Sequence, residues 1–174
     1  PTPPKNDRNY SQKWAYSNIE NEFGMWRSEY DITDNWTACT GLGAQHAHEE
    51  GLYSGAKLID KSGKATATRL DTNRISDSVS GMAGLRGNFD TGFVSHKVNV
   101  GYSAQTKNEK IAWKMSKATD NPITNIYHNT GVDKPDSTNL GGSGGNYSDP
   151  LTSGRTRTQG WLLSDTLGVL DDTL

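Results

Sequence analysis

The sequence lacks three features that define common classes of protein. It has no run of about 18 apolar residues, which excludes a transmembrane helix. Its lone cysteine, Cys39, excludes an internal disulfide framework and a thiolate metal cage. Leu, Ile, Val and Phe supply only 28 of 174 residues, too few for a conventional core, yet 15 aromatic residues and long alternating stretches argue against disorder. The net charge of −2 gives no electrostatic argument for a nucleic-acid partner.

The clearest pattern predicts a β-hairpin over Arg74–Gln105. Its arms alternate with a period of two around Asn88–Gly92, where Asp and Gly favour a tight turn. In the second arm, one face carries Val94, His96, Val98, Val100, Tyr102 and Ala104, and the other carries Ser95, Lys97, Asn99, Gly101 and Ser103. These arms exceed the usual strand of about 5–6 residues, whereas a strand that crosses a bilayer needs roughly 9–11. The length favours a membrane-spanning sheet.

The rest of the chain predicts further strands with unequal connections. We expect five strands, near 18–32, 36–48, 76–89, 93–105 and 159–170. Short turns are expected at 33–35, 90–92 and 171–172, and long loops at 49–73 and 106–158, the first with room for a small hairpin around Asp60–Gly63. Short turns on one side of an antiparallel up-and-down sheet and long loops on the other are typical of a transmembrane β-barrel of the outer membrane.

Three pieces of the sequence resemble the barrel of TonB-dependent ferric-siderophore receptors, particularly the ferrichrome type. They are Arg8–Tyr16 leading into the Glu22–Thr40 hairpin, the Ser95–Tyr102 segment, and the closing Gln159–Leu174. The resemblance implies a bacterial outer-membrane receptor with a barrel of about 22 strands filled by a plug domain. We therefore expect this chain to be a partial barrel, with the plug absent, that cannot close on itself.

The resemblance also implies partners. A ferric siderophore would be the ligand, TonB would supply energy through the missing plug, and outer-membrane lipid would surround the strands. Iron would arrive already chelated, so no cofactor is expected. Nor is an enzyme expected, because no Ser, His or Asp lies in the context of a nucleophile elbow. The sequence does not identify the siderophore.

Aromatic and basic residues are the candidates for binding such a ligand. Rings pack against a compact complex while a donor fixes its orientation, which points to four loop residues: Trp113, Tyr127, His128 and Tyr53. Lys97 and Arg86, on the polar face of the central hairpin, are expected to face the lumen and the plug. Val94, Val98, Val100 and Tyr102 should then face lipid, and Lys97, Asn99, Ser103 and Asp165 the lumen.

Other patterns leave alternatives open. His46 and His48, followed by two glutamates, could form a metal site, but a strand that emerges into a polar loop, where these side chains meet water, is the favoured interpretation, and we predict no metal site. Gly141–Gly145 lacks the following Lys-Ser/Thr of a phosphate loop and is interpreted as a flexible loop tip. The alternative function is a soluble β-sandwich or lectin-like binding module, and a third is a secreted hydrolase without an identified acid/base set.

Overall fold

The computed structural model describes residues 2–7, 9–128 and 130–169, whose regular structure is almost all β-strand. The strands are β1 (Tyr16–Thr33), β2 (Trp36–Leu58), β3 (Lys64–Thr91), β4 (Val94–Ser116), β5 (Ile123–Asn125), β6 (Ser137–Gly142) and β7 (Thr152–Val169). A 3-10 turn at Ala118–Asp120 is the helical element of these ranges. No described helix has the length and apolar character needed to cross a membrane.

The strands form one sheet in which β1 to β4 are neighbours both in sequence and in space. Its order is β1-β2-β3-β4-β6, while β5 pairs with β3 and β7 pairs with β4. The short strands are antiparallel to their partners, with Lys64 opposite Asn125 and Trp113 opposite Gly141. The prediction of an all-β, antiparallel up-and-down fold is confirmed.

Local chemistry explains the tight connections between the long strands. Gly92 has φ of 66° between β3 and β4, and Gly63 has φ of 90° before β3, a conformation that glycine adopts without a Cβ penalty. At the turn between β2 and β3, Asp60 Oδ1 accepts hydrogen bonds from the backbone N–H of Ser62 (2.8 Å) and of Lys64 (3.3 Å). Between β1 and β2, the Asn35 N–H donates to Thr33 Oγ1 at 3.3 Å.

The prediction of a long loop at 49–73 is wrong. β2 continues to Leu58 and β3 begins at Lys64, so the small hairpin around Asp60–Gly63 joins two strands that are much longer than expected. The segment looked like a loop because it is polar, but its polar side chains are paired with other parts of the chain, as described below. The predicted loop 106–158 is also shorter, because β4 extends to Ser116, β7 begins at Thr152, and two short strands form between them. Arg8, Leu170 and the predicted turn at 171–172 lie outside the described residues.

The chain divides into two compact units. The first unit comprises Pro1–Asn21, Ala47–Ser76 and Glu109–Gly154, and the second comprises Glu22–His46, Asp77–Asn108 and Arg155–Leu174. The connections at 34–35 and 92–93 belong to the second unit, whereas those at 59–63 and 117–151 belong to the first. Each unit contributes its own group of candidate functional residues.

Candidate functional site

In the first unit, one face of β3 is covered by the connection between β4 and β7. Alternate residues of β3 point to this face: Ala65 and Ala67 are 0% and 1% exposed, and Asp71 and Asn73 are 8% and 5% exposed. Pro122, which precedes β5, extends the pairing along the edge of β3, since its carbonyl oxygen accepts from the Ala67 N–H at 2.8 Å. We call the part of this connection from 117 to 150 the covering loop. Such burial requires that every polar side chain of the row be paired.

Arg69 and Asp71 begin this pairing. Two guanidinium nitrogens of Arg69 donate to the two carboxylate oxygens of Asp71 at 2.6 and 2.7 Å, a bidentate pair between residues two apart on one strand. Each partner also bonds to the covering loop. Arg69 Nη1 donates to the Pro135 carbonyl oxygen at 2.9 Å, and Ser137 Oγ donates to Asp71 Oδ2 at 2.9 Å.

Asn73 continues the same row. Its Nδ2 donates to the carbonyl oxygen of Tyr147 at 2.7 Å, and its Oδ1 lies 2.9 Å from Nε2 of His48 on β2. The Tyr147 ring in turn lies 4.4 Å from the Lys114 ammonium on β4. Burial, with smaller effects from Asp71 and Glu50, raises the pKa of Tyr147 to about 12, which keeps its phenol neutral to a higher pH than that of an ordinary tyrosine.

A second segment of the first unit, residues 9–15, makes hydrogen bonds to the backbone of the covering loop at residues 130 and 132. Gln12, 6% exposed, accepts from the Val132 N–H at 3.0 Å through Oε1 and donates to the Thr130 carbonyl oxygen at 3.5 Å through Nε2. The indole N–H of Trp14 donates to the Val132 carbonyl oxygen at 3.1 Å. Beside Gln12 lies an open groove of about 320 Å³, lined on other sides by β2 and the 124–126 segment.

The four predicted ligand-binding residues are in the first unit, where Tyr127 and His128 are adjacent in sequence, but among the described residues no hydrogen bond or ring contact joins this pair to Tyr53 or Trp113. Tyr53 lies within hydrogen-bond distance of Glu49 and Ser17 (3.3 Å each). Trp113 lies across Gly141 on the strand face opposite to that of Lys114. Tyr127 packs on Gly63 and its hydroxyl donates to the Thr2 carbonyl oxygen at 2.7 Å, while the backbone N–H of exposed His128 donates to Asn125. Their role in ligand binding stays a prediction.

Arg86 and Lys97 lie together in the second unit. Both line a polar groove of about 290 Å³ with Thr37, Asn99, Ser164 and Thr166. Arg86 Nη2 donates to Glu29 at 2.6 Å, and Glu29 also accepts from Arg27 at 2.6 Å. The expectation that Asp165 shares this polar face is wrong. Asp165 contacts His96 (2.7 Å), and Trp161, of the same parity on β7, stacks on Tyr102, so both lie on the face with Val98 and Val100.

His46 and His48 each have a partner other than a metal ion. His46 Nδ1 lies 2.6 Å from Asp77, and His48 bonds to Asn73 as described. Across the described ranges, no three His, Cys, Asp or Glu side chains form a group that could hold a metal ion. The glycines interpreted as a flexible tip are partly ordered: Gly141 and Gly142 end β6, and Gly145 bridges to buried Pro150.

The polar row on β3 and Gln12 were not predicted as functional residues. The signal that would have located the row is the period-two alternation of Ala65, Ala67, Arg69, Asp71 and Asn73 with Thr66, Thr68, Leu70 and Thr72. Gln12 carries no comparable local signal, because its partners are 118 and 120 residues away in the sequence.

The long antiparallel strands and the connection folded onto β3 define a segment of an up-and-down β-sheet with long strands. No family model matches the chain. It is, however, 42% identical over 172 residues to the ferrichrome receptor FcuA of Yersinia enterocolitica, a similarity that covers 99% of this chain and 22% of that receptor. The predicted resemblance to a ferrichrome-type receptor is therefore confirmed, and the chain spans about a fifth of the length of the curated relative that it matches.

A solved structure shows the same fold. The crystal structure of BauA, the ferric preacinetobactin receptor of Acinetobacter baumannii, matches with a TM-score of 0.74 at 23% identity. The match covers 99% of this chain and 25% of BauA. Both relatives are receptors.

Proposed function

We propose that this chain is part of an outer-membrane receptor that binds a ferric siderophore and imports it with energy supplied through TonB. The observation that carries the proposal is the 42% identity to a ferrichrome receptor across 99% of the chain. Transport of this kind needs no covalent chemistry from the protein, and the iron is cargo inside the siderophore complex.

The distribution of apolar residues in the second unit supports contact with lipid. Large side chains of β1 and β7 on the face opposite to Glu29 and Ser164 are highly exposed: Tyr30 72%, Ile32 55%, Trp161 79% and Leu163 77%. Exposed apolar surface on this scale is unfavourable in water, whereas the outward face of a membrane sheet requires it. The same exposure disfavours the soluble β-sandwich, whose strands would bury one face against a second sheet.

The test uses the intact receptor that contains this chain, expressed in a bacterial strain without its own siderophore receptors. We expect uptake of radiolabelled iron from ferric ferrichrome, and loss of that uptake in a matched strain lacking TonB. A ferric catecholate complex serves as the ligand control. The proposal fails if the receptor reaches the outer membrane yet neither binds nor imports any ferric siderophore.

A further inference from the structure

We propose that Asn73 is a positioning residue for ligand capture, because it fixes the end of the covering loop that carries Tyr147 before a ligand arrives. This inference rests on the proposed function and deepens it. It assigns to one buried side chain the task of holding the loop in the conformation that recognises the ferric siderophore.

The geometry of the β3 row supports this assignment. Arg69, Asp71 and Asn73 follow one another at every second position, about 6.6 Å apart, and each bonds to a different point of the covering loop. Their partners are Pro135, Ser137 and Tyr147, which lie 66, 66 and 74 residues away in sequence. The row therefore fixes the second half of the covering loop at three points. Asn73 makes the contact that lies furthest along the loop, at Tyr147.

Asn73 is the member of the row whose side chain joins three elements. It bonds to His48 of β2 through Oδ1 and to the Tyr147 backbone through Nδ2, and it is itself part of β3. At 5% exposure, neither bond can be replaced by bulk water without opening the loop.

Fixing the Tyr147 backbone fixes the point from which its ring extends. The ring stays half-buried beside the Lys114 ammonium, so a neutral phenol donor and a cation are presented together at one place. A ferric siderophore offers clustered oxygen acceptors around the metal, which this pair suits. A loop ordered before binding avoids the entropic cost of ordering it during binding, which raises affinity without any new contact.

The experiment compares Asn73→Ala with Asn18→Ala in the intact receptor. Asn18 is an exposed asparagine of β1 in the same unit and is the matched control. Loop order is measured with a spin label at exposed position 148, and affinity is measured with ferric ferrichrome. We expect Asn73→Ala to increase label mobility and to weaken binding about tenfold, and Asn18→Ala to change neither.

A second variant separates the donor from the acceptor. Asn73→Asp keeps an acceptor for His48 but cannot donate to the Tyr147 carbonyl oxygen, so we expect it to behave like the alanine variant. Normal heat-dependent mobility in gels confirms that each variant folds. If the alanine variant does not fold, the aspartate variant replaces it in both measurements.

The outcomes separate this inference from the proposed function. If the wild-type receptor binds no ferric siderophore, the proposed function fails. If it binds and both Asn73 variants keep wild-type affinity, with or without a looser loop, the positioning role is wrong.

Discussion

His96 Nδ1 on β4 lies 2.7 Å from Asp165 Oδ2 on β7. The two residues are 69 positions apart in sequence, and their contact joins the two strands. The imidazole also stacks on Phe89 at 4.7 Å, and Phe89 stacks on Trp36 at 6.3 Å. Its other nitrogen, Nε2, lies 2.6 Å from Thr91 Oγ1. A continuous line of side chains therefore connects β2, β3, β4 and β7 within the second unit.

Substitution of this pair should reveal an energetic coupling. We expect His96→Ala and Asp165→Ala each to lower the free energy of unfolding by about 1 kcal/mol, and the double variant to lose less than the sum. Urea unfolding of the intact receptor in lipid vesicles measures both. Ser164→Ala, on the opposite face of β7, is the control. Strictly additive losses would mean that the pair contributes no interaction of its own.

The assignment of faces on β4 is tested by two neighbouring labels. Val98 is half-buried and Asn99 is exposed on the polar face with Lys97. In the intact receptor, a spin label at 98 should be accessible to oxygen dissolved in lipid, and a label at 99 to a water-soluble relaxing agent. Equal accessibility of both labels would contradict the assignment.

Glycine is required at position 141 because the Trp113 indole occupies the space that a Cβ would need. A Cβ at this position would lie 2.2 Å from Trp113, so Gly141→Ala must displace the indole. We expect a loss of about 1–3 kcal/mol in stability and a change in tryptophan fluorescence. Gly154→Ala, where no atom lies within 4 Å of the added carbon, should change neither. If the fluorescence change persists in a Trp113→Phe background, it does not come from this contact.

The turn between β2 and β3 should depend on pH through Asp60. The Ser62 hydroxyl, helped by the backbone N–H groups of Ser62 and Lys64, holds the pKa of the Asp60 carboxyl below its usual 3.8. The stabilisation is present above that value and is lost as pH falls through the lowered pKa of the folded state. Hydrogen exchange of the turn, corrected for its intrinsic pH dependence, should rise at low pH. Asp60→Ala should abolish this pH dependence, and Lys61→Ala should retain it.

The sequence predicted strands where alternation is locally visible and missed them where the partners are distant. Val98 and Asn99 fall on different faces because a strand alternates with period two, which needs no knowledge of tertiary contacts. Asp71 and Asn73 are buried on a strand only because Ser137 and Tyr147 supply hydrogen bonds from far along the chain. Their polarity therefore resembled that of a loop, and the strand was missed.

The sequence predicts candidate binding residues from their chemistry, but it does not predict the direction in which their side chains point. The sequence predicts Trp113 as a loop aromatic, but β4 extends through it and places its ring opposite to Lys114. Tyr147 is equally aromatic and carries no sequence signal of its own, although it lies against both the β3 row and the Lys114 ammonium. The extent of a strand decides which way a side chain points, and here that extent depended on long-range pairing.

The amide of Gln12 has a consequence for the order of folding. It acts as a substitute peptide group, giving one donor and one acceptor to the backbone at 130–132 across a sequence separation of 118 to 120 residues. Closing so long a segment carries a large entropic cost, and contacts of this range form slowly. The hairpins joined by two-residue turns need no such closure. We therefore expect the strands to pair first, and the closure made by Gln12 to be among the last steps as the chain matures.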